Sequence, residues 1–144
     1  MSYEDERLQR YVQYFEALTL DSLSQLDEVM TGDVFFSDPF NEVTVLEPTR
    51  NIFIHMFAEL DEPRFRVSSA AVAHGNEQTG LLSWTLEAMS RGAPLRIEGM
   101  SEIKFAPDGR VCSHVDHWDA ARQIYEGVPL LGAILKFLRR RLEA

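Results

Sequence analysis

Asp38 stands in the run Phe35-Phe36-Ser37-Asp38-Pro39-Phe40, a single carboxylate among aromatic rings. A carboxylate poorly solvated by apolar neighbours holds its proton more readily than one in water, and can carry a proton near neutral pH. The same Asp-Pro run also reads as a turn whose carboxylate caps local amides. A second polar cluster, His114-Val115-Asp116-His117-Trp118-Asp119, comes late in the chain. His114 and Asp116 are two residues apart, which on a strand sets them on one face. They read either as an acid–base pair or as a structural hydrogen bond between strand side chains. The two segments do chemistry together only if the fold brings them to one pocket.

Other chemistries find little support. His114 and Asp116 lack a third ligand at recognisable spacing, so no metal is expected. There is no nucleophile elbow, phosphate loop or dinucleotide fingerprint, and no cofactor is expected. Cys112 is the only cysteine, which excludes an intramolecular disulfide and fits a reducing compartment. It reads as a small buried residue. Asp119 reads as a helix cap, and His117 alternates to the face opposite His114.

The elements that must position these groups follow from hydrophobic period. Leu8, Tyr11, Val12, Phe15 and Leu18 recur at helical spacing, with Tyr14 on the rim of that stripe. Ser22 and Gln25 have capping-box spacing for a second helix with Leu23, Leu26, Val29 and Met30 inside, stopped by Gly32. Val34 to Ser37 reads as extended, and Pro39 keeps Asp38 on extended backbone. Pro48 opens a third helix whose apolar face is Ile52, Phe53, Met56, Phe57 and Leu60. Beyond Pro63 the period changes to two. Phe65, Val67, Ser69 and Ala71 share one face, as do Leu82, Trp84, Leu86 and Ala88. The face of the next strand is Leu95, Ile97, Gly99, Ser101, Ile103 and Phe105. Compact turns at Arg91–Pro94 and Pro107–Arg110 make the last three strands an antiparallel meander. Asp119 would start a short helix running through Tyr125. A C-terminal amphipathic helix at about 129–142 carries Leu130, Leu131, Ile134, Leu135, Leu138 and Leu142 opposite Lys136 and Arg139-Arg140-Arg141.

This order gives an α+β domain, helices on one face of a curved antiparallel sheet, which leaves an apolar cone suited to a small molecule. The 144 residues, 45% hydrophobic and without repeat or linker, are expected to form one domain over 1–144. A net charge of −9 argues against a nucleic-acid binder. The acidic N-terminus does not read as a signal peptide, no segment reaches membrane-spanning length, and one short cationic helix is a weak membrane anchor. The expected location is cytoplasmic.

The element order resembles the NTF2-like superfamily, the cone-shaped fold of ketosteroid isomerases, SnoaL-like cyclases and scytalone dehydratase. The resemblance runs to about Trp118, with the final helix as an addition. Its most specific stretch runs without a gap from Tyr14-Phe15-Glu16-Ala17-Leu18 to Asp33-Val34-Phe35-Phe36-Ser37-Asp38-Pro39. In ketosteroid isomerases this stretch begins with the oxyanion-hole tyrosine and ends with the proton-moving aspartate. The resemblance therefore implies those roles for Tyr14 and Asp38. The family's second oxyanion donor, a protonated aspartic acid, falls at Ser101, a weaker donor. The supporting tyrosine of the third helix falls at Phe53. Both departures argue against steroid isomerisation itself.

The resemblance further implies that Cys112, His114, Asp116 and Trp118 face the pocket, with Asp38 and Asp116 approaching across the cone. Leu18, Phe53, Met56, Phe57, Trp84, Leu86, Ile97, Gly99 and Trp118 would line it. The expectation is a cofactor-independent acid–base enzyme, isomerase- or cyclase-like, acting on a mostly apolar small molecule with a carbonyl, hydroxyl or epoxide. Asp38 would move the proton, Tyr14 and Ser101 would hold the oxyanion, and His114 and Asp116 would be a second acid–base pair. The alternative is a non-catalytic ligand-binding or dimerisation module of the same fold. Homodimerisation through the sheet is a further implication of the resemblance.

Overall fold

Asp5 starts the first helix by accepting hydrogen bonds from the amides of Arg7 and Leu8, an N-cap that satisfies two otherwise unpaired donors. The computed structural model describes residues 5–124 and 129–143. Helix α1 spans Glu6–Glu16 and turns Leu8, Tyr11 and Phe15 inward. A 3-10 helix, Asp21–Glu28, follows and buries Leu23 and Leu26. Strand β1, Met30–Ser37, then begins two residues before Gly32. Gly32 is therefore strand rather than helix stop, a correction to the expectation above. Met30 and Val34 are fully buried, and it is the sheet that recruits them.

Strand β2, Glu42–Thr44, turns back along β1. Helix α2, Leu46–Glu59, buries Leu46, Thr49 and Phe53, with Pro48 in its first turn. The long strands β3 (Asp61–Ala73), β4 (Asn76–Ser90) and β5 (Ala93–Phe105) and the shorter β6 (Val111–His117) complete a six-stranded sheet. Its order is β2-β1-β6-β5-β4-β3. All neighbours are antiparallel except β1 and β6, which run parallel, so the sheet is mixed rather than wholly antiparallel. The β4–β5 hairpin closes on Arg91 and Gly92, with φ of 53° and 78°, between the paired residues Ser90 and Ala93. Both central residues at positive φ define the two-residue turn whose twist matches that of the strands.

Two bulges change which side chains face inward, and sequence alternation does not reveal them. In β3 the register slips between Val67 and Ser69, so Ala70 comes opposite Leu82 and Val72 packs on the core. Ser69 and Ala71, expected inside, are displaced to the other face. In β6 the register slips between Lys104 and Phe105, which makes Cys112 an extra residue. Val111 and His114 both point inward, while the Cys112 thiol lies against the Lys104 carbonyl at 3.5 Å. Cys112 therefore does not share the face of His114.

The concave face carries Leu82, Trp84, Leu86, Ile97, Ile103 and Phe105 against α1 and α2. Leu81 and Met100 stand exposed on the other face. Asp119 caps a short helix α3, Ala120–Gln123, through the Arg122 amide. Helix α4, Pro129–Leu142, follows, with Ile134, Phe137 and Leu138 half exposed. Tyr125 lies outside the described residues, as do Met1–Glu4 and the side chains of Leu130, Leu131 and Leu135. No helix among the described residues is long and apolar enough to cross a membrane.

Candidate functional site

The concave face holds a chain of four side-chain hydrogen bonds. The Tyr11 hydroxyl lies 2.6 Å from Nδ1 of His114. His114 Nε2 lies 2.7 Å from Oδ1 of Asp116. The Ser101 hydroxyl meets the same oxygen at 2.5 Å, and the Trp84 indole donates to Ser101 Oγ at 2.8 Å.

Proton positions along this chain follow from which groups can only donate. The Trp84 indole N–H has no acceptor capacity, so Ser101 accepts from it and sends its own hydrogen to Asp116. With a neutral imidazole, His114 donates from Nε2 to the same carboxylate and Nδ1 accepts the Tyr11 hydroxyl hydrogen. Every group on the chain is paired in the same sense. Burial pushes the Tyr11 hydroxyl well above the usual phenol range, with the nearby Asp116 charge acting in the same direction. Tyr11 is thus held as a neutral donor.

Sequence and topology explain why these groups meet. Ser101 pairs with Asp116 across β5 and β6, and Ile103 with His114. Gly99 pairs with Trp84 across β4 and β5. A Cβ at position 99 would stand 2.5 Å from the indole ring, so only glycine lets Trp84 lie flat over β5. Phe36, opposite His114 in the parallel pairing, stacks on its imidazole with ring centres 5.1 Å apart. Aromatic packing thus fixes the ring while its two nitrogens are hydrogen-bonded.

Two cavities touch this chain. An inner one of about 40 Å³ lies among Tyr11, Phe15, Leu82, Ser101 and His114 and is too small for a substrate. The outer cleft, about 410 Å³, opens between α2, the β1–β2 loop and the ends of β4 to β6. Its size falls in the range of small-molecule sites. Asp116, Phe53, Phe65 and Trp84 line both and form the partition between them. Asp116 therefore belongs to both spaces. Its Oδ1 is held by His114 and Ser101, while Oδ2 receives no hydrogen bond from the described residues.

The structure brings Asp38 and Asp116 to the lining of the same cleft, together with Phe53, Met56, Trp84, Leu86, Ile97 and Trp118. Asp38 also serves its own loop. Its Oδ1 accepts from the amides of Phe40 and Asn41 at 2.8 and 2.7 Å, and the Asn41 side chain bonds both carboxylate oxygens.

Other expected residues lie elsewhere. The Tyr14 hydroxyl donates to the Ser22 carbonyl at 2.8 Å, and neither cavity includes Tyr14. Burial pushes this phenol up to about 12. Tyr14 and Ser101 therefore do not converge into one oxyanion hole, and the hydroxyl hydrogen of Ser101 is already committed to Asp116. Leu18 and Phe57 line a separate groove with Leu60 and Arg64. Gly99 lies behind the Trp84 indole rather than in the cleft.

Tyr11 is the residue that sequence reasoning placed in the core and not in the site. The signal was present, because a hydroxyl at the centre of an apolar stripe requires a buried partner. His55 and Asn51 also line the cleft, and no spacing marked them. Among the described residues no cluster of three or more His, Cys, Asp or Glu side chains could hold a metal ion.

A family model described as a SnoaL-like domain matches residues 11–114. No curated protein matches the sequence. Among solved structures, an LEH-like epoxide hydrolase of M. tuberculosis is 15% identical. The match covers 93% of this chain and 96% of that one, with a TM-score of 0.67. An NTF2-like protein of unknown function from Burkholderia pseudomallei is 14% identical over 84% of this chain and 96% of its own, with a TM-score of 0.70. A protein from Jannaschia sp. CCS1 provisionally named a SnoaL-like polyketide cyclase is 12% identical over 85% of this chain and 94% of its own, with a TM-score of 0.67.

Proposed function

This chain belongs to the SnoaL-like family with an NTF2-like fold, and from that premise we propose that it is a cofactor-independent acid–base enzyme. Its substrate is a mostly apolar small molecule held in the outer cleft. The observation that carries the reading is the double membership of Asp116. One oxygen is anchored in the buried chain, the other takes no donor from the described residues, and the side chain lines the outer cleft.

A carboxylate fixed in this way is a positioned general base. Asp116 takes a proton from the bound substrate at Oδ2 and returns it to another atom of the same molecule. His114 and Ser101 hold Oδ1 throughout, and Tyr11 fixes the imidazole tautomer. The apolar walls exclude water from the exchange. Asp38 is the second carboxylate of the cleft. The solved structures named as an epoxide hydrolase and a polyketide cyclase support testing epoxides and carbonyl compounds together.

The test is solvent deuterium incorporation into a panel of apolar ketones, with epoxide opening measured in parallel. Wild type is expected to exchange at least one panel member, and Asp116→Asn to lose about 100-fold or more in rate. Equal rates in wild type and Asp116→Asn would remove Asp116 from the mechanism. The engagement of Asp38 by its own turn favours one second reading, a ligand-binding module without turnover. Tight binding of a panel member with no exchange of any kind would select it.

A further inference from the structure

Charge and walls in the outer cleft are unbalanced in one direction. Its ionisable side chains are the carboxylates of Asp38 and Asp116 and the imidazole of His55, and none of the described residues lining it is Lys or Arg. Six of the lining residues are aromatic: Phe36, Phe40, Phe53, Phe65, Trp84 and Trp118. At the mouth, Phe40 and Trp118 meet edge to face, with ring centres 5.5 Å apart. That edge is next to Asp38 in sequence and in the lining.

An anionic ligand would meet two like charges in this space. A neutral ligand would offer neither carboxylate an opposite charge beyond the hydrogen-bond partners each already has. A cation satisfies both features, since the carboxylates supply opposite charge and the ring faces attract it through their quadrupoles.

We propose that the outer cleft binds an organic cation, an apolar molecule bearing a protonated or quaternary amine. Asp38 is its electrostatic anchor and the Phe40–Trp118 pair supplies ring contact. This rests on the outer cleft being the ligand site of the proposed function, and names the substrate class there. Asp38 suits an anchor because its own turn holds it in place. Loop amides and the Asn41 side chain hold the carboxylate still and balance it with dipoles, not with a full positive charge. Its net negative charge stays available to a ligand. Asp116 remains the proton-exchanging group, so the two carboxylates divide the work between holding and reacting.

Binding is tested with benzyltrimethylammonium, its uncharged isostere neopentylbenzene and the anion benzenesulfonate. The readout is tryptophan fluorescence, backed by calorimetry on the full chain. The quaternary cation keeps its charge at every pH, which removes ligand protonation from the comparison. The expected result is binding of the cation at least about tenfold tighter than the isostere, and no binding of the anion. Asp38→Asn retains an acceptor for the loop amides and is expected to abolish that preference while leaving isostere affinity unchanged. Phe40→Leu, at a half-exposed position, is expected to reduce the preference with no effect on folding.

Equal or tighter binding of the neutral isostere, binding of the anion, or an undiminished preference in Asp38→Asn would each overturn the proposal. These measurements need no turnover. A cation preference with no proton exchange leaves this proposal standing and sinks the enzymatic reading, and exchange with no cation preference does the reverse.

Discussion

Tyr11 and His114, 103 positions apart in the chain, are joined by a buried hydrogen bond of 2.6 Å between the phenol oxygen and Nδ1. The first helix is thereby tied to the last strand of the sheet at the point where the candidate chemistry lies. Tyr11→Phe keeps the ring against Phe15, whose centre is 4.9 Å away, and removes only the hydroxyl. The imidazole nitrogen is left buried without a donor, which typically costs about 1–3 kcal/mol. Urea unfolding should show a lower midpoint with an unchanged slope. A midpoint equal to wild type would mean that the bond adds nothing to stability.

Alkaline stability should report on the same hydroxyl. Burial raises the Tyr11 phenol well above its ordinary value and Tyr14 to about 12 in the folded protein. Unfolded tyrosines titrate near 10. Their contribution is therefore complete below pH ~10 and is lost as pH rises further, because the unfolded chain gives up its protons first. Urea midpoints measured from pH 8 to 11.5 should be level and then fall, and Tyr11→Phe should fall less steeply. Tyrosinate absorbance rising for all tyrosines near pH 10 in the folded protein would contradict this.

Asp116 carries two donors on one oxygen, so its replacements should separate. Asp116→Ala strands the His114 Nε2–H and the Ser101 hydroxyl in buried surroundings and should cost about 1–3 kcal/mol or more. Asp116→Asn keeps an oxygen acceptor and should lose less stability while losing the proposed proton exchange. Thermal melts of the two variants check the order, and a more stable alanine variant would refute the account of the chain.

Gly99→Ala tests the seating of Trp84. A methyl group 2.5 Å from the indole forces either the ring or β5 to move. Overpacking of this kind typically costs about 1–3 kcal/mol. The expected result is a lower melting temperature with a shifted tryptophan emission maximum. Unchanged emission and melting would show that the ring has free space elsewhere.

The helices, the long hairpins and the α+β class were legible in the sequence because each rests on a local period or turn residue. The face carrying His114 and Asp116 was legible for the same reason. What local pattern could not carry was phase. The extra residue at Cys112 and the slip after Val67 are pairing events between strands, and each reverses inside and outside over several residues. The choice between Tyr14 and Tyr11 failed differently. An ungapped resemblance pointed to Tyr14, while the physical requirement of a partner for a central hydroxyl pointed one helical turn earlier. The role of Gly99 was not visible either, because it depends on which ring lies across the neighbouring strand.

Strand β6 sits between β1 and β5, although it is the last strand of the sheet to be synthesised. A growing chain on the ribosome therefore presents two open strand edges that cannot pair with each other until β6 emerges to fill the gap. Edges of that kind are where nascent chains are prone to mispair, so the demand on chaperones should peak late in synthesis. The strand that relieves it also delivers His114 and Asp116. A chain stopped before residue 111 would thus lack both a continuous sheet and its proposed chemistry, and completion of the fold and acquisition of the site would be one event in the life of the molecule.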